Sequence, residues 1–272
     1  MNKKYQKHIL TKKQMKDFKR DGYILVKNVL SSKEIKNILC VIDKIWEKHH
    51  SNNSDDYLHM FDFFNKDKIF IKLFDNKKIL PLILGLLGWN IYVFHSHLDI
   101  NIPINRDNPP KLAWHRDNSR MNYDFRNGKY PLIAIKAGYW LSDVSKGGRG
   151  NLYVVPGSHR GDIIMGKNIR NDKLPRGVVP IKAKSGDVVL FDSRIWHTRS
   201  NNFSEFTRKV IFIGYAYRWL RPRDDAKILP NLLKNANNNQ KQLLNRNIGS
   251  DAYVPEENIS LKKLYLRLYG KK

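Results

Sequence analysis

The sequence contains one cysteine, Cys40, in 272 residues. That excludes an internal disulfide framework and any cysteine-rich zinc or iron–sulfur centre. Long apolar runs are also missing. The greasiest stretch, residues 79–87, is broken by Pro81 and Gly85, whereas a membrane span needs about 20 residues. The first ten residues hold no apolar segment of the kind a secretory leader carries. A cytoplasmic protein with no membrane span is therefore expected. Acidic residues are scarce, with 25 Asp and Glu against 50 Lys and Arg, for a formal net charge of +25. The excess is densest at the ends: residues 1–50 carry +8 and residues 218–272 carry +7. Such a balance suits an anionic partner, nucleic acid included. An AT-rich coding bias accounts equally well for the abundance of Lys, Asn and Ile.

What is present is enough for a core. Hydrophobic residues make up 41% and aromatics 11% of the chain, which places it among globular proteins. Thr11 with Gln14 and Ser31 with Glu34 have the spacing of capping boxes, which open helices. After the second box, Ile35, Ile38, Leu39, Ile42, Ile45 and Trp46 recur at helical spacing to about Lys48, with Cys40 expected as a buried thiol. Residues 49–56 read as an exposed loop. Residues 66–87 read as helix broken near Pro81. From Trp89 the texture changes to short apolar runs at 91–102, 132–141, 151–155, 188–191 and 210–217, separated by Gly, Pro, Asn or Asp. That pattern predicts a β-sandwich or barrel. The expected plan is one domain over 1–272. It has a helical part at 1–88, a β core at 89–220 and a polar tail at 221–272 that ends in a helix.

The chemistry concentrates in His115-Arg116-Asp117 and His197. On an extended segment His115 and Asp117 point the same way, and a second strand can deliver His197 across the core. Two imidazoles and one carboxylate on one face of a metal leave positions open, the pattern of non-haem Fe(II) oxygenases. Nine histidines and 25 acids make a chance H-x-D common, and His97-Leu98-Asp99 is a second one. That pair stands as the alternative metal pair.

Further motifs bear on the choice. Phe18-Lys19-Arg20-Asp21-Gly22-Tyr23, Trp114-His115-Arg116-Asp117, the run from Gly150 to His159 (GNLYVVPGSH), Gly186-Asp187-Val188-Val189-Leu190-Phe191 leading into His197, and Arg208 eleven residues later occur in one order. Together they resemble the phytanoyl-CoA dioxygenase family of Fe(II)- and 2-oxoglutarate-dependent dioxygenases, over roughly residues 18–208. The resemblance implies a mainly β fold, a double-stranded β-helix or jelly roll of cupin-like type packed against N-terminal helices. It implies Fe(II) held by His115, Asp117 and His197, with 2-oxoglutarate and O2 as cosubstrates. Arg208 would grip the distal carboxylate of 2-oxoglutarate, a task that suits a planar, always-charged fork. Arg199 stands where the family often has Ser or Thr, so either Thr198 assists Arg208 or Arg199 adds a second cation at the pocket. Leu98 and Tyr139 lie on segments like those lining the family's cosubstrate pocket, with core packing as their ordinary alternative.

The implied reaction hydroxylates a C–H bond of a small-molecule substrate and releases succinate and CO2. Asp117 fills the position that a small residue leaves open in related halogenases, so hydroxylation is expected. Arg116, Arg120, Arg126 and Arg199 near the site favour an anionic substrate. Phe61, Phe63 and Phe64 offer an apolar lid, and His159 a loop-holding role. The rival readings are a basic nucleic-acid-binding protein and a non-catalytic jelly-roll module. No helix-turn-helix, zinc-finger or aromatic RNA-binding signature supports the first.

Overall fold

The two capping boxes form as read. After a first short helix, α1 (Lys3–Gln6), Thr11 and Gln14 bond reciprocally at the start of α2 (Lys12–Asp21) and Ser31 and Glu34 at the start of α3 (Ser32–His50). The computed structural model describes residues 3–51, 57–118, 120, 124, 131–161, 174–223, 227–244, 251–253 and 259–270. Cys40 is exposed on α3, against the expected burial. The helix buries Ile38 and Ile42, and a residue two places from Ile38 points about 200° away around the helix. α3 also runs through His50, two residues into the expected loop, while residues 52–56 lie outside the described ones. Pro81 does not break a helix. It sits in the first turn of α5 (Leu80–Leu87), where a missing N–H costs nothing. A separate short helix, α4 (Ile71–Phe74), precedes it.

Nine strands form two antiparallel sheets among the described residues. The strands are β1 (Tyr23–Val26), β2 (Tyr57–Phe61), β3 (Ile91–Asn101), β4 (Ala134–Trp140), β5 (Leu152–Val154), β6 (Val179–Pro180), β7 (Val188–Asp192), β8 (His197–Arg199) and β9 (Arg208–Tyr217). The larger sheet runs β1-β7-β4-β9-β3-β2 and the smaller β6-β5-β8. This is the jelly-roll arrangement.

Both faces of the large sheet are covered, and alternation sorts its residues. Leu98 and Ile100 of β3, Ile135, Ala137 and Tyr139 of β4, and Ile211, Ile213 and Tyr215 of β9 pack into the main core with the helices. The opposite face faces the small sheet. Trp140, Val189, Phe191, Val210 and Phe212 meet Leu152 and Val154 there in a second cluster. The tail is more ordered than its polarity suggests. Helices Pro230–Asn235, Asn238–Leu244 and Ser260–Tyr269 form in it, and Leu243, Leu261 and Leu268 join the main core. No helix among the described residues is long and apolar enough to cross a membrane.

Candidate active site

His115 follows the Pro109-Pro110 stretch in extended backbone and pairs with His197 of β8. Each backbone N–H donates to the other's carbonyl at 3.0 Å. The chain turns just beyond Asp117, at Asn118, whose φ is 55°, a left-handed conformation that Asn tolerates. His115 Nδ1 lies 2.8 Å from the Ala113 carbonyl and His197 Nδ1 2.9 Å from that of Ile195. An Nδ1–H donor satisfies both contacts and leaves each Nε2 with a lone pair, the arrangement metal-ligating histidines use. The rings are 4.3 Å apart between centroids, His197 Nε2 is 3.9 Å from Asp117 Oδ2, and one ligand atom from each residue falls within 4.8 Å of the others.

Burial pushes the Asp117 carboxyl up, but Lys136, His197 and His115 outweigh it and hold it well below the usual carboxylate range. Lys136 Nζ is 2.7 Å from Asp117 Oδ2, and Arg223 Nη1 is 3.3 Å from Oδ1. Neither cation was picked out from the sequence. The signal for Lys136 was there: a lysine inside the apolar run of β4, buried along its whole length, needs a charged partner.

His197 is pushed down to about 4, chiefly by burial, with Asp117 opposing and His115 and Lys136 assisting. It is therefore neutral at pH 7, as a metal ligand must be. In the metal-free chain the unfolded state takes up a proton near 6.5 that the folded state refuses until about 4. Folding stability is expected to fall as pH drops through that window, by at most about 1.4 kcal/mol per pH unit from this group. Thermal unfolding at pH 7, 6 and 5 measures it.

Arg208 opens β9 and its guanidinium is buried. Nη1 donates to Asn101 Oδ1 at 2.8 Å, and the guanidinium lies 4.9 Å from the Trp140 ring. Its Nε has no hydrogen-bond partner among the described residues. Burial pushes its pKa down to about 9, with Asp99 opposing, so it stays charged at pH 7. Gly150 makes room for it. A Cβ there would lie 2.5 Å from Arg208 Cδ, and its φ of 68° already disfavours other residues. Gly150→Ala is expected to displace Arg208 and to weaken 2-oxoglutarate binding by at least ~10-fold while the Fe(II) affinity stays near wild type. Titration of each ligand separates the two effects.

His115, Asp117, His197, Thr198 and Arg208 line one cavity of about 710 Å³. Leu98 and Tyr139 do not. Both side chains sit in the main core, and the Tyr139 hydroxyl donates to the Leu73 carbonyl at 2.8 Å. Their expected register is off by one residue, which on a strand reverses the face. His97, Asp99 and Asn101 of β3 and Lys136 of β4 line the cavity instead. His97 and Asp99, the alternative pair, come together with His59 in a second cluster of potential ligands.

The expected arginine group disperses. Arg116 donates through Nη2 to the carbonyls of Ser158 and Gly161 at 2.8 Å, clamping the loop that carries the Pro-Gly-Ser-His turn. Arg120 pairs with Asp124 on the surface, Arg126 lies outside the described residues, and Arg199 lines the cavity. His159 does not line the cavity. Its Nε2 contacts the Lys19 carbonyl at 3.2 Å and its ring fills the space a Cβ on Gly22 would need. It thereby ties the Asp21-Gly22 turn to this loop. Phe63 and Phe64 are core residues, while Phe61 stays half exposed, with ring centroids 5.5 Å from His95 and 6.3 Å from His97.

A jelly roll whose interior gathers two histidines, a carboxylate and a buried arginine has the architecture of the non-haem dioxygenases. The family model described as phytanoyl-CoA dioxygenase (PhyH) matches residues 18–210, and the chain belongs to that family of dioxygenases. Dioxygenase af480 of Aspergillus fumigatus is 26% identical over 248 residues, covering 83% of this chain and 74% of that protein. Ectoine dioxygenase of Bordetella parapertussis is 22% identical, covering 76% and 75%. Among solved structures, HygX of Streptomyces hygroscopicus with nickel and 2-oxoglutarate bound matches with a TM-score of 0.66 at 17% identity, covering 82% and 94%. EctD of S. alaskensis with 2-oxoglutarate and 5-hydroxyectoine matches with a TM-score of 0.60 at 21% identity, covering 82% and 83%.

Proposed function

We propose that the chain hydroxylates a C–H bond of a small molecule, using Fe(II) held by His115, Asp117 and His197 and 2-oxoglutarate anchored by Arg208. The observation that carries this reading is the pairing, in one cavity, of two imidazoles beside a carboxylate and a buried guanidinium whose Nε lacks a hydrogen-bond partner among the described residues. The residues fit the groups. Neutral imidazoles and an ionised carboxylate are the donors a divalent iron takes, and a buried guanidinium calls for an anion. When bound, iron with 2-oxoglutarate and O2 supplies an oxidative decarboxylation, which yields succinate and CO2, coupled to oxidation of the substrate C–H bond.

The chain's own residues prepare that chemistry. The Ala113 and Ile195 carbonyls fix the two rings. Lys136, buried beside the Phe191 and Phe212 rings, keeps Asp117 ionised. Asn101 and Trp140 hold Arg208, whose remaining donors would be left for the cosubstrate carboxylate. Thr198, buried and on the same cavity, assists it. Lys111, Arg199 and Arg223 at the cavity wall favour a substrate with an anionic group. One domain spanning the chain is supported by a main core that joins Ile38, Ile211 and Leu264.

The names of the relatives point to small-molecule chemistry: ectoine for the ectoine dioxygenases and hygromycin B for a HygX complex. The test is a substrate panel read by succinate release and product mass. Succinate and a product heavier by one oxygen, in equal amounts, are expected. Substrate oxidation without succinate, or tight salt-sensitive nucleic-acid binding with no turnover on any substrate, would overturn the proposal.

A further inference from the structure

We propose that His59, His97 and Asp99 form a second divalent-metal site on the wall of the same cavity, taking a transition-metal ion such as Zn²⁺ or Co²⁺. The placement follows from the sheet. His97 and Asp99 are two residues apart on β3 and so share a face. β2 pairs antiparallel with β3 in a register that sets His59 opposite Asp99. Cross-strand neighbours on one face stand close enough for their side chains to meet. All three residues line the cavity, and none of them is used by the iron triad.

Two of the site's separations match those of the triad. His97 Nε2 lies 3.8 Å from Asp99 Oδ2, against 3.9 Å between His197 Nε2 and Asp117 Oδ2. The ring centroids of His59 and His97 are 4.6 Å apart, against 4.3 Å for His115 and His197. In both clusters one ligand atom per residue falls within 4.8 Å of the others. A separation of 3.8 Å is too long for a hydrogen bond. It closes readily onto one ion, whose nitrogen and oxygen ligands each lie roughly 2.0–2.2 Å away.

A supporting partner is also in place. His97 Nδ1 is 3.1 Å from His95 Nε2. With the proton on His97 Nδ1, that contact fixes the ring and leaves Nε2 for an ion, the job an outer-shell partner does for a metal-bound imidazole. Asp99 is shared between the two rings, with Oδ1 2.6 Å from His59 Nδ1 and Oδ2 toward His97. Two imidazoles and one carboxylate leave coordination positions open toward the cavity. An ion there would offer them to oxygen or nitrogen donors of whatever occupies it, a templating role.

The test counts ions and is independent of turnover. The full chain, stripped by chelation, is dialysed against Zn²⁺ at set free concentrations, and bound metal is measured by elemental analysis. Two equivalents are expected for the wild type, one for His97→Ala, one for His59→Ala, one for His197→Ala and none for the His97→Ala/His197→Ala double variant. The affinity lost with either ligand should be no smaller than the ~10–100-fold that removing a supporting partner costs. With Co²⁺, added 2-oxoglutarate should change the absorption of the ion that His197→Ala removes. Circular dichroism checks the fold of each variant. If the buried His97 change unfolds the chain, the half-exposed His59 on an edge strand decides the matter. A single equivalent in the wild type that His197→Ala removes, or a second equivalent that survives His59→Ala, overturns the proposal and leaves His59 and Asp99 as a hydrogen-bonded pair. Loss of the His197-dependent ion alone would count against the iron site and not against this one.

Discussion

Asp117→Ala is expected to abolish 2-oxoglutarate-dependent product formation. Two effects compound. The variant removes one of the three proposed ligands and the only anionic one among them. It also leaves the Lys136 ammonium, 2.7 Å from the missing carboxylate and itself buried, without the partner that neutralises it. An uncompensated positive charge then faces the place a divalent cation must occupy. Fe(II) affinity should fall by more than ~100-fold, the upper range for loss of a supporting partner alone. The stranded lysine should also cost about 3–5 kcal/mol of folding stability, as removal of one member of a buried pair does. Adding Lys136→Met should recover much of that stability and none of the turnover. Chemical denaturation with Fe(II) titration separates the two losses. Retained product formation in Asp117→Ala would sink the assignment of Asp117 as a ligand.

The second large effect is at Arg208. Arg208→Met keeps a long apolar stem beside Trp140 and deletes the guanidinium. A charge-assisted hydrogen bond contributes about 1.5–3 kcal/mol, so losing a two-pronged grip should weaken 2-oxoglutarate binding by ~100-fold or more. Fe(II) affinity should be nearly unchanged. Arg208→Lys should fall between, because a lysine keeps the charge but cannot present two parallel donors. Asn101→Leu should give a smaller loss, since it frees the fork without removing it. An unchanged 2-oxoglutarate affinity in Arg208→Met would mean that the cosubstrate carboxylate is held elsewhere.

The residues that were legible in advance share a property: their signal is local or has fixed spacing. The H-x-D pair, the distal histidine and the arginine eleven residues later all belong to motifs, and both capping boxes are four-residue patterns. The short apolar runs between turn residues also located β3, β4, β7 and β9 within a few residues. They did not settle phase. Leu98 and Tyr139 were assigned to the cavity side, and the sheet places both in the main core. Cys40 was misjudged for the same reason on a helix, where two residues separate the buried face from the exposed one.

What stayed hidden depends on contacts between distant segments. His59 meets Asp99 only because β2 pairs with β3, and β2 is a five-residue edge strand with little apolar periodicity. Arg223 reaches Asp117 across 106 residues. Arg116 looked like a cation for the substrate mouth, yet two carbonyls of a loop more than 40 residues away hold it. The net charge of +25 proved a poor guide to the site. The cations inside the site, Arg208 and Lys136, are buried, Lys136 against Asp117 and Arg208 against Asn101 and Trp140, while most of the surplus lies outside the motifs.

The most direct test of the central claim needs no substrate. The full chain is mixed with Fe(II) and 2-oxoglutarate without oxygen, and its visible absorption is recorded. A weak charge-transfer band that requires both additions is predicted for the wild type. It should be absent in His197→Ala and should need far more 2-oxoglutarate in Arg208→Met. The absence of any band in the wild-type chain, or its persistence at full strength in His197→Ala, would contradict the account.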